Sequence, residues 1–246
     1  MNRFLLTDKN ILVTGASSGI GRQVSIAVSE MGGSVIAVGR NIERLNETMG
    51  QLKGNSHVSI IADLAMEEDR ENLIAQIPKI NGVVHSAGLM KTVPMKFVTE
   101  KALREISLIN YDVPVLLMQS LLKKKLLLPG SSVVFISSII VHHNAIGHGI
   151  YAGSKGALSA VVKTFALELA TQKTRANCLL PGMIRTQMSG EVEDTVGSDK
   201  IAEHERAYPL GFGCTADVAD AVIFLLSDAS RWITGTNMII DGGLTC

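Results

Sequence analysis

Apolar and polar positions along this chain alternate between two periodicities. Short apolar runs rich in β-branched residues predict seven strands, at 10–14, 34–39, 57–62, 82–85, 132–137, 176–180 and 238–241. Between them, apolar residues recur at helical spacing and predict six helices, at 20–31, 42–52, 67–77, 101–128, 150–171 and 216–227. Several strands are apolar throughout, which is typical of a sheet whose two faces are both covered by helices.

The repeated strand–helix–strand order predicts an α/β fold with right-handed crossovers. We expect a Rossmann-type, doubly wound parallel sheet of about seven strands with helices on both faces. No Pro/Gly/Ser-rich linker and no internal repeat divides the chain, so residues 1–246 are predicted to form a single cofactor-binding and catalytic domain. One segment, 183–209, is polar and has no clear apolar stripe, and it is predicted to be a substrate lid over the strand ends.

Charge and cysteine content exclude several kinds of partner. The chain has 23 Lys plus Arg and 23 Asp plus Glu, so neither nucleic acid nor an anionic membrane is an expected partner. The three cysteines lack metal-ligand spacing and predict a reducing, cytoplasmic location. Residues 126–154 carry no Asp, Glu, Lys or Arg, but a Pro-Gly turn and paired histidines interrupt them, which favours a buried strand and loop over a membrane span.

A glycine-rich turn follows the first predicted strand and opens the first helix. Its sequence is Thr14-Gly-Ala-Ser-Ser-Gly-Ile-Gly21. Glycines allow a tight turn and close approach of a ligand, and a helix N-terminus offers free N–H groups to phosphate. In this strand–turn–helix context, the turn predicts dinucleotide binding through Gly15, Ser17, Ser18, Gly19, Ile20 and Gly21.

Tyr151 and Lys155 stand four residues apart at the start of the predicted helix 150–171, which places both on one helix face. A free phenol has a pKa of about 10, and a fixed neighbouring positive charge favours its ionised form. The pair is therefore a candidate acid/base, although this spacing also occurs on solvated helix faces.

Asn110 and Pro114 are also four residues apart, in the predicted helix 101–128. In an α-helix the N–H of residue 114 would bond the Asn110 carbonyl, but proline has no N–H. The carbonyl must then find another donor, such as water. A simple proline kink with Asn110 as its cap is the alternative.

These motifs together resemble the short-chain dehydrogenase/reductase superfamily, and the likeness extends over essentially the whole chain, including its end at 233–243. The resemblance implies four catalytic residues: Asn110, Ser138, Tyr151 and Lys155. Besides the glycine-rich turn, it implies cofactor contacts from Asp63, Leu64, Ala87, Gly88, Tyr151, Lys155, Pro181, Gly182, Ile184 and Thr186. The family's Asn-Asn-Ala-Gly is replaced here by His85-Ser86-Ala87-Gly88, so local packing must differ there.

In the family's mechanism, Tyr151 would exchange a proton with the substrate oxygen, while Lys155 would lower its pKa and hold the nicotinamide ribose. Ser138 would hydrogen-bond the substrate carbonyl, with Ser137 as the less favoured alternative. The Asn110 main-chain carbonyl would bind a water linked to Lys155.

The end of the second predicted strand indicates which cofactor is preferred. Members that use NAD carry an acid there, which binds the ribose 2′-hydroxyl and would repel a 2′-phosphate. This chain has Gly39 followed by Arg40, which predicts NADP(H) over NAD(H), with Ser17 assisting. A solvated cation at a helix start is the alternative for Arg40.

The resemblance predicts an NADP(H)-dependent oxidoreductase of a carbonyl/alcohol pair and a homodimer or homotetramer formed through 101–128 and 150–171. Within the superfamily, the chain resembles bacterial 3-oxoacyl-acyl-carrier-protein reductases most strongly, partly through the sequence Tyr208-Pro-Leu-Gly-Phe-Gly. A 3-oxoacyl thioester on acyl-carrier protein is thus one candidate substrate, with Lys123–Lys125 as a docking patch or merely a solvated helix end.

Other small ketones, sugars or polyols, and steroid-like molecules stay open as substrates, as does a non-catalytic nucleotide-binding regulator. His142, His143 and His148 lack accompanying carboxylates or cysteines, so we expect loop or pocket-wall residues and no metal site.

Overall fold

A computed structural model describes residues 2–186 and 198–246. The strands of its main sheet are β1 Asn10–Thr14, β2 Ser34–Gly39, β3 Val58–Ile61, β4 Ile80–His85, β5 Leu127–Ile136, β6 Arg175–Pro181 and β9 Asn237–Ile240. These seven strands lie in the order β3-β2-β1-β4-β5-β6-β9, and every neighbouring pair is parallel. The predicted doubly wound parallel sheet is therefore confirmed. A small separate ribbon pairs β7, Ile184–Arg185, with β8, Gly213–Cys214.

Helices cover both faces of this sheet. They are α1 Gly19–Glu30, α2 Ile42–Met49, α3 Glu67–Gln76, α4 Glu100–Ser107, α5 Val113–Lys123, α6 Gly149–Glu168, α7 Ser198–Arg206 and α8 Thr215–Leu226. One apolar core lies between the sheet and α1, α2 and α8, and the other lies between the sheet and α3, α5 and α6. In β1, Ile11 and Val13 belong to the first core and Leu12 to the second, so a strand with two buried faces is apolar at every position.

The site is positioned by the reversal of strand order beside β1. Strand β2 pairs with one edge of β1, and strand β4 pairs with the other. From β1 the sheet therefore grows in one direction through β2 to β3 and in the opposite direction from β4 to β9. In open α/β sheets, the crevice at the carboxyl ends of such strands is where ligands bind. The glycine-rich turn leaves β1 at this edge, and the 86–89 segment leaves β4 beside it.

The predicted helix 101–128 is wrong in its interior and at its end. A π-helical segment, Leu108–Asp112, separates α4 from α5, and the Val113 N–H bonds the Leu108 carbonyl five residues back. Proline at position 114 removes the next α-helical donor, which explains why the helix changes pitch here. Of the apolar residues 126–128, interpreted as helix, 127 and 128 instead begin β5, because Leu127 pairs with Ile80.

The segment 183–209 contains β7 and the polar helix α7, which its lack of an apolar stripe concealed from sequence analysis. Its residues 187–197 lie outside the described part of the chain, so the lid stays a prediction. Within the described residues, no helix combines the length and apolar character needed to cross a membrane.

Candidate active site

Tyr151, Lys155 and Ser138 meet at the carboxyl edge of the sheet. Helix α6 carries Tyr151 and Lys155 in its first two turns, and Ser138 lies two residues beyond the end of β5. The Ser138 side chain lies close enough to the Tyr151 phenol to lower its pKa. The Lys155 ammonium is buried, donates to the Ile136 carbonyl at 2.7 Å, and lies 5.9 Å from the centroid of the Tyr151 ring.

Burial shifts the pKa values of Tyr151 and Lys155 in opposite directions. It raises the pKa of Tyr151, and the Ser138 side chain partly opposes that rise. It lowers the pKa of Lys155 to about 8, because the ammonium is removed from water. The raised pKa of Tyr151 is opposite to the lowering that the sequence predicts from Lys155, since that ammonium is directed at the Ile136 carbonyl.

The structure separates the two adjacent serines. Ser137 is buried, donates to the Lys155 carbonyl at 3.0 Å, and accepts from Ser159 at 3.0 Å. The Cys178 sulfur lies 3.7 Å from the Ser159 hydroxyl and extends this buried chain. Ser137 thus ties β5 to α6, whereas the half-buried Ser138 hydroxyl reaches Tyr151.

Asn110 lies in the π-helical segment and is buried. Its side-chain amide donates to the Leu89 carbonyl at 2.8 Å and to Ser154 at 3.0 Å, and its oxygen accepts from the Leu89 N–H at 2.8 Å. A Cβ placed on Gly88 would lie 3.5 Å from both the Asn110 oxygen and the Lys155 ammonium. The Asn110 side chain therefore fixes the 86–89 segment beside Lys155, a contact that the argument from its main-chain carbonyl missed.

The glycine-rich turn is shaped for close approach of a ligand. Gly15 and Gly19 have φ angles of 69° and 51°, which favour glycine. A Cβ on Gly15 would lie 2.9 Å from the Ala87 backbone, and one on Gly21 would clash with the Gly15 carbonyl. The Ser18 side chain makes no cap hydrogen bond, so the first N–H groups of α1 are open to a phosphate in the predicted cradle.

Arg40 and Asp63 lie together at the far end of the crevice. Arg40 is exposed, and its guanidinium nitrogen is 3.8 Å from the Asp63 carboxylate. The adjacent Leu64 is buried. A Cβ on Gly39 would lie 3.1 Å from the Ser17 side chain, so an acid at position 39 would crowd Ser17. These residues fit the adenosine end of a dinucleotide, with a cation near the ribose.

The 181–186 loop closes the other end. The Gly182 N–H donates to the Ile240 carbonyl at 3.0 Å, and the Met183 N–H donates to the Tyr208 hydroxyl at 3.2 Å. A Cβ on Gly19 would lie 3.7 Å from Thr186, so this loop reaches the glycine-rich turn. A cavity of about 450 Å³ lies at this end, and its lining includes the predicted residues Ile20, Gly88, Ser138, Tyr151, Lys155, Pro181, Gly182, Ile184 and Thr186.

Histidines also line this cavity. His143 and His148 belong to the predicted pocket wall, and His204 of α7 joins them; His142 does not reach the cavity. Nothing in the sequence distinguished His204. Tyr208, which also lines the cavity, lies in the Tyr-Pro-Leu-Gly-Phe-Gly stretch on which the resemblance partly rests.

The predicted change in packing at His85 takes a specific form. The side chain is 2% exposed and stacks on Phe135, with ring centroids 4.6 Å apart. Neither ring nitrogen has a hydrogen-bond partner among the described residues. Burial lowers the pKa of His85 to about 3, so the imidazole is neutral.

The lysine cluster does not lie beside the cavity. Lys123, Lys124 and Lys125 are exposed and immediately precede β5, so they lie at the amino edge of the sheet. The cavity lies at the carboxyl edge, and a strand of ten residues spans on the order of 30 Å. The cluster therefore does not flank the cavity, and its position at the C-terminal end of α5 fits the alternative of a solvated helix end.

Known proteins resemble this chain along almost its full length. Residues 15–245 match the family described as Enoyl-(Acyl carrier protein) reductase. A 3-oxoacyl-[acyl-carrier-protein] reductase FabG from Rickettsia felis is 32% identical over 97% of this chain and 98% of its own. A 3-oxoacyl-[acyl-carrier-protein] reductase from Mus musculus is 34% identical over 96% and 98%.

Solved structures agree with this relationship. A short-chain type dehydrogenase/reductase from Mycobacterium marinum has a TM-score of 0.89 and 28% identity, over 100% of this chain and 98% of that one. A protein assigned as an NAD(P)-dependent gluconate 5-dehydrogenase from Beutenbergia cavernae, with NADP bound at low occupancy, has a TM-score of 0.88 and 27% identity, over 99% of each chain. This chain therefore belongs to the short-chain dehydrogenase/reductase superfamily and is a nicotinamide-dependent dehydrogenase/reductase of carbonyl and hydroxyl groups.

Proposed function

We propose that this enzyme uses NADPH to reduce a small, largely apolar ketone to a secondary alcohol. The observation that carries the proposal is the convergence of Ser138, Tyr151 and Lys155 on one cavity at the end of the glycine-lined crevice. A carbonyl reduction needs a hydride at carbon and a proton at oxygen, and these side chains can supply and control the proton.

The glycine-rich turn and Arg40 would hold NADPH, which would supply the hydride when bound. Ser138 donates a hydrogen bond to the substrate oxygen, where negative charge grows. Tyr151 gives its hydroxyl proton to the same oxygen, and a raised phenol pKa keeps that proton available at neutral pH. Lys155 stabilises the phenolate that remains and binds the nicotinamide ribose. Asn110 contributes by holding the 86–89 segment against Lys155 and by its main-chain carbonyl, which binds a relay water.

Three observations support NADPH over NADH. Arg40 is exposed, and among the described residues its one ion pair is with Asp63 at 3.8 Å, so it can turn to a 2′-phosphate. Position 39 is glycine and adjoins Ser17, so no acid stands at the strand end where members that use NAD carry one. Charge-assisted hydrogen bonds contribute about 1.5–3 kcal/mol, enough for roughly tenfold to a hundredfold discrimination. The Beutenbergia cavernae relative has NADP in its structure.

A 3-oxoacyl thioester is the substrate that the named relatives favour. Other small ketones or steroid-like molecules also suit this cavity, because its described wall is mostly apolar, and a sugar or polyol is favoured less. Docking of an acyl-carrier protein would need a surface other than Lys123–Lys125.

We further propose a cytoplasmic homodimer or homotetramer that is formed through α4, α5 and α6. Leu103 and Leu116 are exposed on α4 and α5, and a Cβ on Gly153 or Gly156 of α6 would meet open space, so another subunit could approach closely. Light scattering coupled to size exclusion measures the assembly, and a strictly monomeric protein at micromolar concentration would contradict it.

The function is tested by following NADPH absorbance with a panel of ketones that includes a 3-oxoacyl thioester. We expect Tyr151→Phe to bind NADPH with unchanged affinity, measured by fluorescence, and to lose about a hundredfold or more of turnover. Tight NADPH binding without turnover of any substrate by the wild-type protein would refute the proposal. Substantial turnover by Tyr151→Phe would refute the role of the phenol.

A further inference from the structure

The cavity beside Tyr151 contains few polar side chains apart from those assigned above. Its wall includes Met90, Ile139, Ile140, Ile201 and Leu244. Within the described part of the chain, Lys155 is the one Lys, Arg, Asp or Glu on this wall. Three histidines, His143, His148 and His204, interrupt the apolar surface. Each of them could bind substrate or could merely shape the wall, and their contacts distinguish these roles.

His148 uses both of its ring nitrogens within the protein. Its Nδ1 lies 3.2 Å from the Ile146 carbonyl, and its Nε2 lies 3.3 Å from the Thr92 hydroxyl. A carbonyl only accepts, so Nδ1 carries the proton, and Nε2 accepts from Thr92 in the neutral ring. His148 therefore holds the loop in place and has no group left for a ligand.

His204 is held without using its nitrogens. Its ring packs edge-on against Tyr208 and Phe212, with both centroid distances 5.5 Å, and neither nitrogen hydrogen-bonds within the described residues. Tyr208 is itself fixed by the Met183 N–H. The imidazole is thus oriented before a ligand arrives, which reduces the entropy lost on binding.

His143 stands close to His204 on a different element. Its main-chain N–H bonds the Ile139 carbonyl at 2.9 Å, so the turn that begins at Ser138 places it. Its side chain likewise makes no hydrogen bond to any described residue. Burial lowers the pKa of His204, and a charge on His143 lowers it further. A neutral imidazole offers one N–H and one lone pair to a ligand.

We propose that His143 and His204 bind a second oxygen of the substrate, a carbonyl or hydroxyl oxygen a few bonds away from the ketone that is reduced. The substrate is then an uncharged, otherwise apolar ketone that carries one further hydrogen-bonding oxygen. This inference rests on the proposed function, because Ser138 and Tyr151 must hold the reacting oxygen. Attachment at two points fixes which face of the ketone receives the hydride.

The test compares two substrates of matched length, ethyl 3-oxohexanoate and 4-nonanone, with saturating NADPH. The variants are His143→Phe and His204→Phe, which keep an aromatic ring and remove the nitrogens. His142→Phe is the matched control, since this exposed neighbour lies off the cavity wall. We expect kcat/KM for the ester to fall about tenfold more than that for 4-nonanone in each cavity variant. The control should leave both values within about twofold.

A second measurement does not depend on turnover. Calorimetric titration of ethyl 3-oxohexanoate into the enzyme–NADP⁺ complex should give a Kd about tenfold higher for both cavity variants than for the control. Equal losses on the two substrates, or an unchanged Kd, would overturn the assignment of the histidines. Reduction of the 3-oxohexanoate anion as efficiently as of its ester would overturn the uncharged class.

The experiments distinguish failure of the inference about His143 and His204 from failure of the proposed function. If the wild-type enzyme reduces 4-nonanone but the variants do not discriminate between the two substrates, the function stands and the inference falls. If the wild-type enzyme turns over none of the ketone panel, the function falls and takes the inference with it.

Discussion

The buried histidine on β4 makes the stability of this enzyme sensitive to mild acid. His85 is 2% exposed, stacks on Phe135, and has no hydrogen-bond partner for either nitrogen among the described residues. Burial lowers its pKa from 6.5 to about 3 in the folded protein. The unfolded chain therefore binds one more proton than the folded protein between these two pH values, and stability falls as pH falls through this window.

The size of the effect follows from the two pKa values. At pH 5 the unfolded histidine is almost fully protonated and the folded one is neutral, which removes about 2 kcal/mol of stability relative to pH 7. A domain of this size is stabilised by roughly 5–15 kcal/mol, so the loss is readily measured. Carboxylates with lowered pKa values, such as Asp228 and Asp241, lose their own contributions mainly at lower pH.

The assay is urea unfolding from pH 7 to pH 5, comparing the wild-type protein with His85→Phe. Phenylalanine keeps the stacked ring and cannot be protonated, so the wild-type protein should lose about 2 kcal/mol more than the variant over this range. His142→Phe is the control, because His142 is exposed and its substitution leaves the buried His85 ring in place. This variant should lose as much stability over the pH range as the wild-type protein does. Parallel pH profiles for the wild-type protein and His85→Phe would refute the reasoning.

Three further outcomes are expected. From pH 8 to pH 10, the unfolding free energy of the wild-type protein should rise by about 2 kcal/mol relative to that of Lys155→Met. The reason is that Lys155 loses its proton at a lower pH in the folded protein than in the unfolded chain. A difference between the two proteins that does not change with pH would contradict the lowered pKa of Lys155. Ser137→Ala should lower the unfolding free energy by about 1–2 kcal/mol through loss of two buried hydrogen bonds. The control Ser120→Ala, at a part-exposed serine, should change it by less than about 0.5 kcal/mol. Equal effects of the two substitutions would contradict the role of Ser137 in tying β5 to α6. Arg40→Ala should raise KM for NADPH about tenfold to a hundredfold and leave KM for NADH within about twofold, so a parallel rise for both cofactors would contradict binding of the 2′-phosphate.

Local interactions explain most of what sequence analysis predicted correctly. The seven main strands and the ends of most helices follow from the periodicity of buried positions, because a strand covered on both faces is apolar at every residue. The Tyr151 and Lys155 spacing and the glycine-rich turn are also local, since the geometry of a single helix or turn fixes them. Pro114 likewise showed that the helix around Asn110 could not continue unchanged.

Contacts between distant residues explain what sequence analysis missed. A run of leucines at 126–128 suits a helix or a strand equally, and only pairing with Ile80 decided it. The lysine cluster lay on the wrong edge of the sheet because the direction of β5 places it there. His204 packs against its near neighbours Tyr208 and Phe212, but only the tertiary placement of α7 brings it to the cavity.

By itself, the sequence determined the parallel α/β architecture, the glycine-rich turn and the identity of the paired phenol and ammonium, because each depends on residues near one another in the chain. Tertiary structure alone decided that Ser137 ties β5 to α6, in which direction burial moves the pKa values of Tyr151, Lys155 and His85, and which histidines face the cavity. The physical reason is that desolvation and hydrogen-bond geometry depend on every element packed around a group, and those elements come together only when the whole chain folds.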